Sequence, residues 1–129
     1  MVNVIKSEQL DKLVSTRIST GEVLGCLSYL SDCAGLNKLN IYLETLPPGH
    51  RSSPPHFHSE KEEFIFVIEG NPSLYLDGEM TLLFPGDAVG FPCQIKKYHM
   101  ILNNGTVDSK LLVISNNDAN DTISYYEEN

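Results

Sequence analysis

Two short apolar runs, Ser73-Leu74-Tyr75-Leu76 and Met80-Thr81-Leu82-Leu83-Phe84, are separated by Asp77-Gly78. Asp-Gly accepts the positive backbone angles of a tight two-residue turn, so the pair predicts a β-hairpin. The same punctuation recurs along the chain. Leu39 to Leu46 alternates, with Leu39, Ile41 and Leu43 on one face, and Pro47-Pro48-Gly49 ends it. Glu63-Phe64-Ile65-Phe66-Val67-Ile68 ends at Glu69-Gly70, Pro85-Gly86-Asp87 is a second turn, and Lys110 to Ser115 is a last apolar run. Short strands divided by Gly, Pro, Asn and Asp every ten or so residues predict an all-β sandwich or barrel. Only Ser7 to Leu13 reads as helix, with Ser7 as N-cap and Leu10 and Leu13 on one face. Repeats and linkers are absent, so residues 1–129 read as one domain. The polar segment 116–129 is expected to be extended or loosely packed.

Bulk properties remove several function classes. The net charge of −8, with only nine Lys and Arg, argues against nucleic acid, whose phosphates require clustered cations. Asp118, Asp121, Glu127 and Glu128 in the tail read as a solvated surface. No apolar run approaches the ~20 residues of a membrane span, and the N-terminus lacks the layout of a secretory signal. Cys26, Cys33 and Cys93 form no CxxC pair. An odd count does not read as a disulfide framework, which makes a cytoplasmic location the expectation, and each cysteine reads as a small buried hydrophobe.

Chemistry concentrates at His56-Phe57-His58, Glu63 and His99. Residues i and i+2 of a strand share a face, so His56 and His58 point together. Glu63, Ile65 and Val67 share a face, as do His99, Ile101 and Asn103. If those faces line a barrel, polar ligands sit at the mouth, and Ile65 and Ile101 form an apolar floor for a small molecule. Three imidazoles and a carboxylate suit one divalent iron, manganese, zinc, nickel or copper ion. Phe64, Phe66 and Ile68 then face outward and need cover from a second sheet or a second subunit; a homodimer is expected. His50 in the Pro-Gly turn reads as surface. No nucleophile elbow or phosphate loop is present.

These residues resemble the cupin family. Gly49, His56, His58, Glu63 and Gly70 match its first motif; Gly86, Pro92, His99 and Asn103 match its second. Glu63 rather than Glu62 keeps the spacing to Gly70. The likeness covers roughly residues 36 to 115, and is similar to small single-domain bacterial cupins. It implies a cupin-type double-stranded β-helix, a small jelly-roll barrel that often dimerises, with His56, His58, Glu63 and His99 as metal ligands. Members with this ligand set include dioxygenases, isomerases and decarboxylases. The resemblance therefore implies metal-dependent chemistry on a small organic substrate, or alternatively a non-catalytic binding or sensing module. Two departures stand out. The Gly49 to His56 spacer is one residue longer than usual, and Pro92 to His99 lacks the family's glycine and is two residues longer. That loop is expected at the rim, where Lys96, Lys97 and Tyr98 are candidates to contact an anionic substrate.

Overall fold

The computed structural model describes residues 1–127; Glu128 of the acidic tail lies outside them. Among the described residues, eleven strands form two antiparallel sheets. They are β1 (Leu13–Thr16), β2 (Val23–Tyr29), β3 (Leu39–Leu46), β4 (His56–His58), β5 (Glu63–Glu69), β6 (Ser73–Leu76), β7 (Glu79–Leu82), β8 (Ala88–Phe91), β9 (His99–Leu102), β10 (Ser109–Asn116) and β11 (Ile123–Tyr125). One sheet runs β1-β2-β3-β10-β5-β8 and the other β11-β4-β9-β6-β7. This is the two-sheet β architecture the turn spacing predicts, in the jelly-roll form the cupin resemblance implies.

Alternation decides what lies between the sheets. Along β10, Ser109, Leu111, Val113 and Ser115 are buried, while Lys110, Leu112, Ile114 and Asn116 are not. Leu46, Ile65, Val67, Leu74, Leu83, Ile101, Leu111 and Val113 form the core. Each fully buried aliphatic side chain contributes about 1.5–3 kcal/mol. The hairpin forms where expected: Asp77 and Gly78 adopt φ of 48° and 91° between β6 and β7. Asn103 donates through Nδ2 to the carbonyls of Leu46 and Val107 at 2.7 and 2.8 Å, so this motif residue secures a turn.

Several expectations need correction. Ser7 starts a three-residue 3-10 turn, Ser7–Gln9, and is not its cap; with no buried residue it has no core face to extend it. A short helix α1 (Leu30–Ala34), unforeseen, links β2 to β3. Cys33 on it is exposed, and all three cysteines are free. His50 is half-buried, its Nδ1 3.0 Å from the carbonyls of Val23 and Leu24.

Of the two expectations for the C-terminal segment, the extended one holds for residues 123–125 and loose packing does not. β11 pairs with β4, placing Ile123 opposite His58 and Tyr125 opposite His56. Arg51 donates to Glu22 from Nε and Nη2, at 2.8 Å each, and from Nη1 to Glu127 at 3.0 Å. Arg17 reaches Glu127 at 2.8 Å. Among the described residues no helix is long and apolar enough to cross a membrane.

Candidate metal centre

The site joins the two sheets at one end. β4 supplies His56 and His58, β9 supplies His99, and the facing sheet supplies Glu63 from the start of β5. Strand pairing sets His56 directly opposite His99. Glu63 Oε1 lies 2.8 Å from His99 Nε2, 3.1 Å from His58 Nε2 and 3.6 Å from His56 Nε2. His56, His58 and Glu63 form a group able to hold a metal ion, and His99 closes on the same carboxylate oxygen.

The Nδ1 atoms orient the rings. His58 Nδ1 donates to Asp121 at 2.7 Å, and Asp121 also accepts from the amides of Glu60 and Lys61. His56 Nδ1 sits 3.0 Å from the Pro54 carbonyl, which can only accept, so that nitrogen carries the proton. Both rings therefore turn Nε2 toward Glu63. Phe91 stacks on His99, with centroids 3.7 Å apart and planes 7° from parallel. Donor atoms that share a metal at about 2.1 Å lie about 3 Å apart, so the spacing here fits a transition metal.

Electrostatics agree with that donor set. Burial raises Glu63, but the three imidazoles that face it, His56, His58 and His99, overcome this and hold the carboxyl far below its ordinary range. Burial lowers His58, yet Glu63 and Asp121 carry it above its ordinary value. A proton on His58 competes with metal, so affinity declines as the pH falls. Asp121→Asn removes the partner that orients the ring. Metal affinity is expected to fall about 10- to 100-fold with the fold retained. Titration against a chromophoric chelator measures this, and unchanged affinity would remove Asp121 from the metal centre.

Two cavities meet at this cluster and share His58, Lys61, Glu63 and His99. One, of about 210 Å³, has a polar wall of Asn40, Glu44, Ser52, Ser53 and Ser115, with Tyr42 and Tyr125 beside them. The other, of about 340 Å³, is apolar: Phe57, Leu76, Val89, Phe91, Pro92 and Ile95 line it, with Lys97 at its edge.

The predicted contact residues divide accordingly. Ile65 lines the polar cavity and Lys97 the apolar one. Ile101 is corrected: at 0% exposure it is sealed in the core, because Leu46, Leu74 and their neighbours pack over it. Lys96 is exposed and lines neither cavity. Tyr98 packs its ring against Phe57 and Tyr126 instead.

The sequence reading missed Asp121, whose side chain is 5% exposed rather than solvated. It also missed Asn40, Tyr42 and Glu44. Their signal lay in the alternation of β3: with Leu39, Ile41 and Leu43 on one face, these three occupy the other.

A family model for the Cupin domain matches residues 42–115. Among curated proteins there is no match. Among solved structures, the sugar phosphate isomerase from the cupin superfamily of Silicibacter pomeroyi is 25% identical, with a TM-score of 0.90 over 98% of this chain and 83% of that one. A protein of Acidithiobacillus ferrooxidans, described provisionally as a sugar phosphate isomerase, is 28% identical, with a TM-score of 0.84 over 95% and 80%. The polyketide cyclase RemF of Streptomyces resistomycificus shares the fold at 20% identity, with a TM-score of 0.83 over 100% and 88%.

Proposed function

The chain belongs to the cupin family, and from that premise we propose that it is a metal-dependent isomerase of a small sugar phosphate. The observation that carries this reading is the polar cavity at the His/Glu cluster. Asn40, Ser52, Ser53 and Ser115 offer hydrogen-bonding groups matched to a hydroxylated compound. Lys61 faces both cavities and Lys97 the apolar one, and in a chain of net charge −8 such cations favour an anionic substrate there. The two similar structures with sugar phosphate isomerase names support the same substrate class.

His56, His58, Glu63 and His99 would hold the metal, whose contribution when bound is Lewis acidity toward a substrate oxygen. The chain's own residues do the rest. The polar wall binds and orients hydroxyl groups, Lys61 neutralises phosphate charge, and Phe91 holds the His99 ring. The test incubates metal-replete protein with aldose and ketose phosphates from triose to hexose, followed by NMR. Conversion of one pair, abolished by chelator, is the expected result; an inert panel overturns the isomerase.

The larger apolar cavity favours a second reading, non-catalytic binding of an amphiphilic small molecule. An inert panel together with chelator-insensitive binding of octanoate would select it.

The assembly proposed is a homodimer. Leu39, Ile41, Leu43, Phe64, Phe66, Leu112 and Ile114 form one outward face across β3, β10 and β5, on the side away from the second sheet, and none is buried. A second copy is the cover that fits an aliphatic and aromatic face of this kind. Sedimentation at micromolar concentration is expected to show a dimer, and a monomer alone would refute it.

A further inference from the structure

We propose that Glu44 is the proton-transfer residue of the polar cavity, moving a proton between adjacent carbons of the substrate; this rests on the isomerase reading above. Glu44 stands on the inward face of β3. Strand register sets Asn40, Ser115, Glu63 and Phe91 in one row across the sheet. Tyr42, Val113, Ile65 and Val89 form the next, and Glu44, Leu111 and Val67 the one below. Glu44 therefore sits among aliphatic neighbours at 3% exposure, yet it lines the same cavity as His56, His58, Glu63 and His99.

Its carboxyl has no hydrogen-bond or ion-pair partner among the described residues. Taking a carboxyl this far out of bulk water costs stability, so packing alone does not account for it. The fold nevertheless makes room for it. A Cβ at Gly25 on β2 would lie 2.5 Å from Glu44 Oε2 and 2.8 Å from its Cγ. Only glycine at position 25 leaves the carboxyl where it is.

The other titratable side chains of the cavity have other tasks. The three histidines and Glu63 form the metal-binding group. The Tyr42 phenol is raised far above its ordinary value, by burial and then by Glu44 and Glu63, and keeps its proton. Lys61 is a cation suited to phosphate, and Tyr125 lies at the exposed edge. Glu44 is pushed up to about 8 by burial first and by the charge of Glu63 second. A group in that range gives and takes protons near neutral pH.

The step balances within the substrate. Glu44 carboxylate takes the proton from the carbon beside the carbonyl, and the electron pair of that C–H bond becomes the double bond of an enediol. The hydroxyl proton on that carbon passes to the old carbonyl oxygen, and its own oxygen becomes the new carbonyl. Glu44 returns its proton to the former carbonyl carbon. No oxidant or reductant is consumed.

The experiment runs metal-replete wild type, Glu44→Gln and Glu44→Asp in D2O with the aldose and ketose phosphate panel, followed by NMR. Wild type is expected to convert one pair and to carry solvent deuterium into the exchanging carbon. Glu44→Gln is expected to lose conversion and deuterium incorporation together, by about 100-fold or more. Its metal content, circular dichroism and substrate affinity should be unchanged, and Glu44→Asp should recover part of the exchange. Full turnover and label incorporation by Glu44→Gln overturns the role of Glu44 while the isomerase reading stands. Wild-type conversion without deuterium in the product points to hydride transfer and overturns it as well. A wild type inert toward the whole panel removes the isomerase reading, and the role of Glu44 with it.

Discussion

His58→Ala is expected to fold as the wild type does and to bind divalent metal more than about 100-fold more weakly, since loss of a ligand exceeds the effect of losing a partner behind one. The fold survives because the site contributes no core side chain: Leu46, Ile65, Val67, Leu111 and their neighbours pack together without it. Nor does the substitution strand a charge. Asp121 keeps the amides of Glu60 and Lys61, and Glu63 keeps His99 at 2.8 Å and His56 at 3.6 Å. What is lost is an imidazole whose Nε2 is already aimed by a carboxylate behind it. Elemental analysis of untagged protein purified without chelator, beside a thermal melt, measures both halves of the expectation. His50→Ala is the control. Its ring contacts the carbonyls of Val23 and Leu24, away from the cluster, so its metal content should match wild type. Full metal stoichiometry in His58→Ala would sink the ligand assignment.

The contrast between His58 and Glu44 shows what a sequence carries. The residues of the candidate metal group were legible because their geometry is local. His56 and His58 share a face in any strand, and Glu63 and His99 each open an apolar run. The hairpin was legible for the same reason, since Asp77-Gly78 fixes its own turn. The rest depends on pairing between distant segments. Glu44 reached the cavity because β3 pairs with β10, which sets Tyr42 against Val113 and Glu44 against Leu111. An apolar-periodicity reading selects Leu39, Ile41 and Leu43, and those point outward. Ile65 and Ile101 both follow a ligand by two residues, yet only Ile65 meets the cavity; the packing of β9 against β6 and the core encloses the other. Asp121 stands 63 residues from His58 in sequence, so only the pairing of β11 with β4 makes it a partner.

Glu44→Gln is expected to stabilise the chelated protein, by an amount that grows with pH. The sign follows from where the proton resides. Glu44 has an ordinary value of 4.5 in the unfolded chain and is pushed up to about 8 when folded. Below 4.5 the carboxyl is neutral in both states, and wild type has its full stability. Between 4.5 and about 8 the unfolded chain ionises while the folded chain does not, so each pH unit costs the wild type about 1.4 kcal/mol. Above about 8 both states are ionised and the loss levels off. Glutamine keeps the shape beside Gly25 and has no charge to desolvate, so its own curve lacks this slope. At the top of the window the accumulated difference reaches about 5 kcal/mol, or about 15–20 °C in melting temperature for a chain of this size. Melts at several pH values with chelator present measure it; a difference between the two proteins that stays constant across the window would show that Glu44 does not retain its proton on folding. Metal should narrow the gap. A divalent cation at the cluster offsets the Glu63 charge, the second cause of the raised Glu44 value, and leaves burial as the dominant cost. A chain that keeps a partnerless carboxyl at that cost, with a glycine cleared beside it, retains it for chemistry in the cavity rather than for packing.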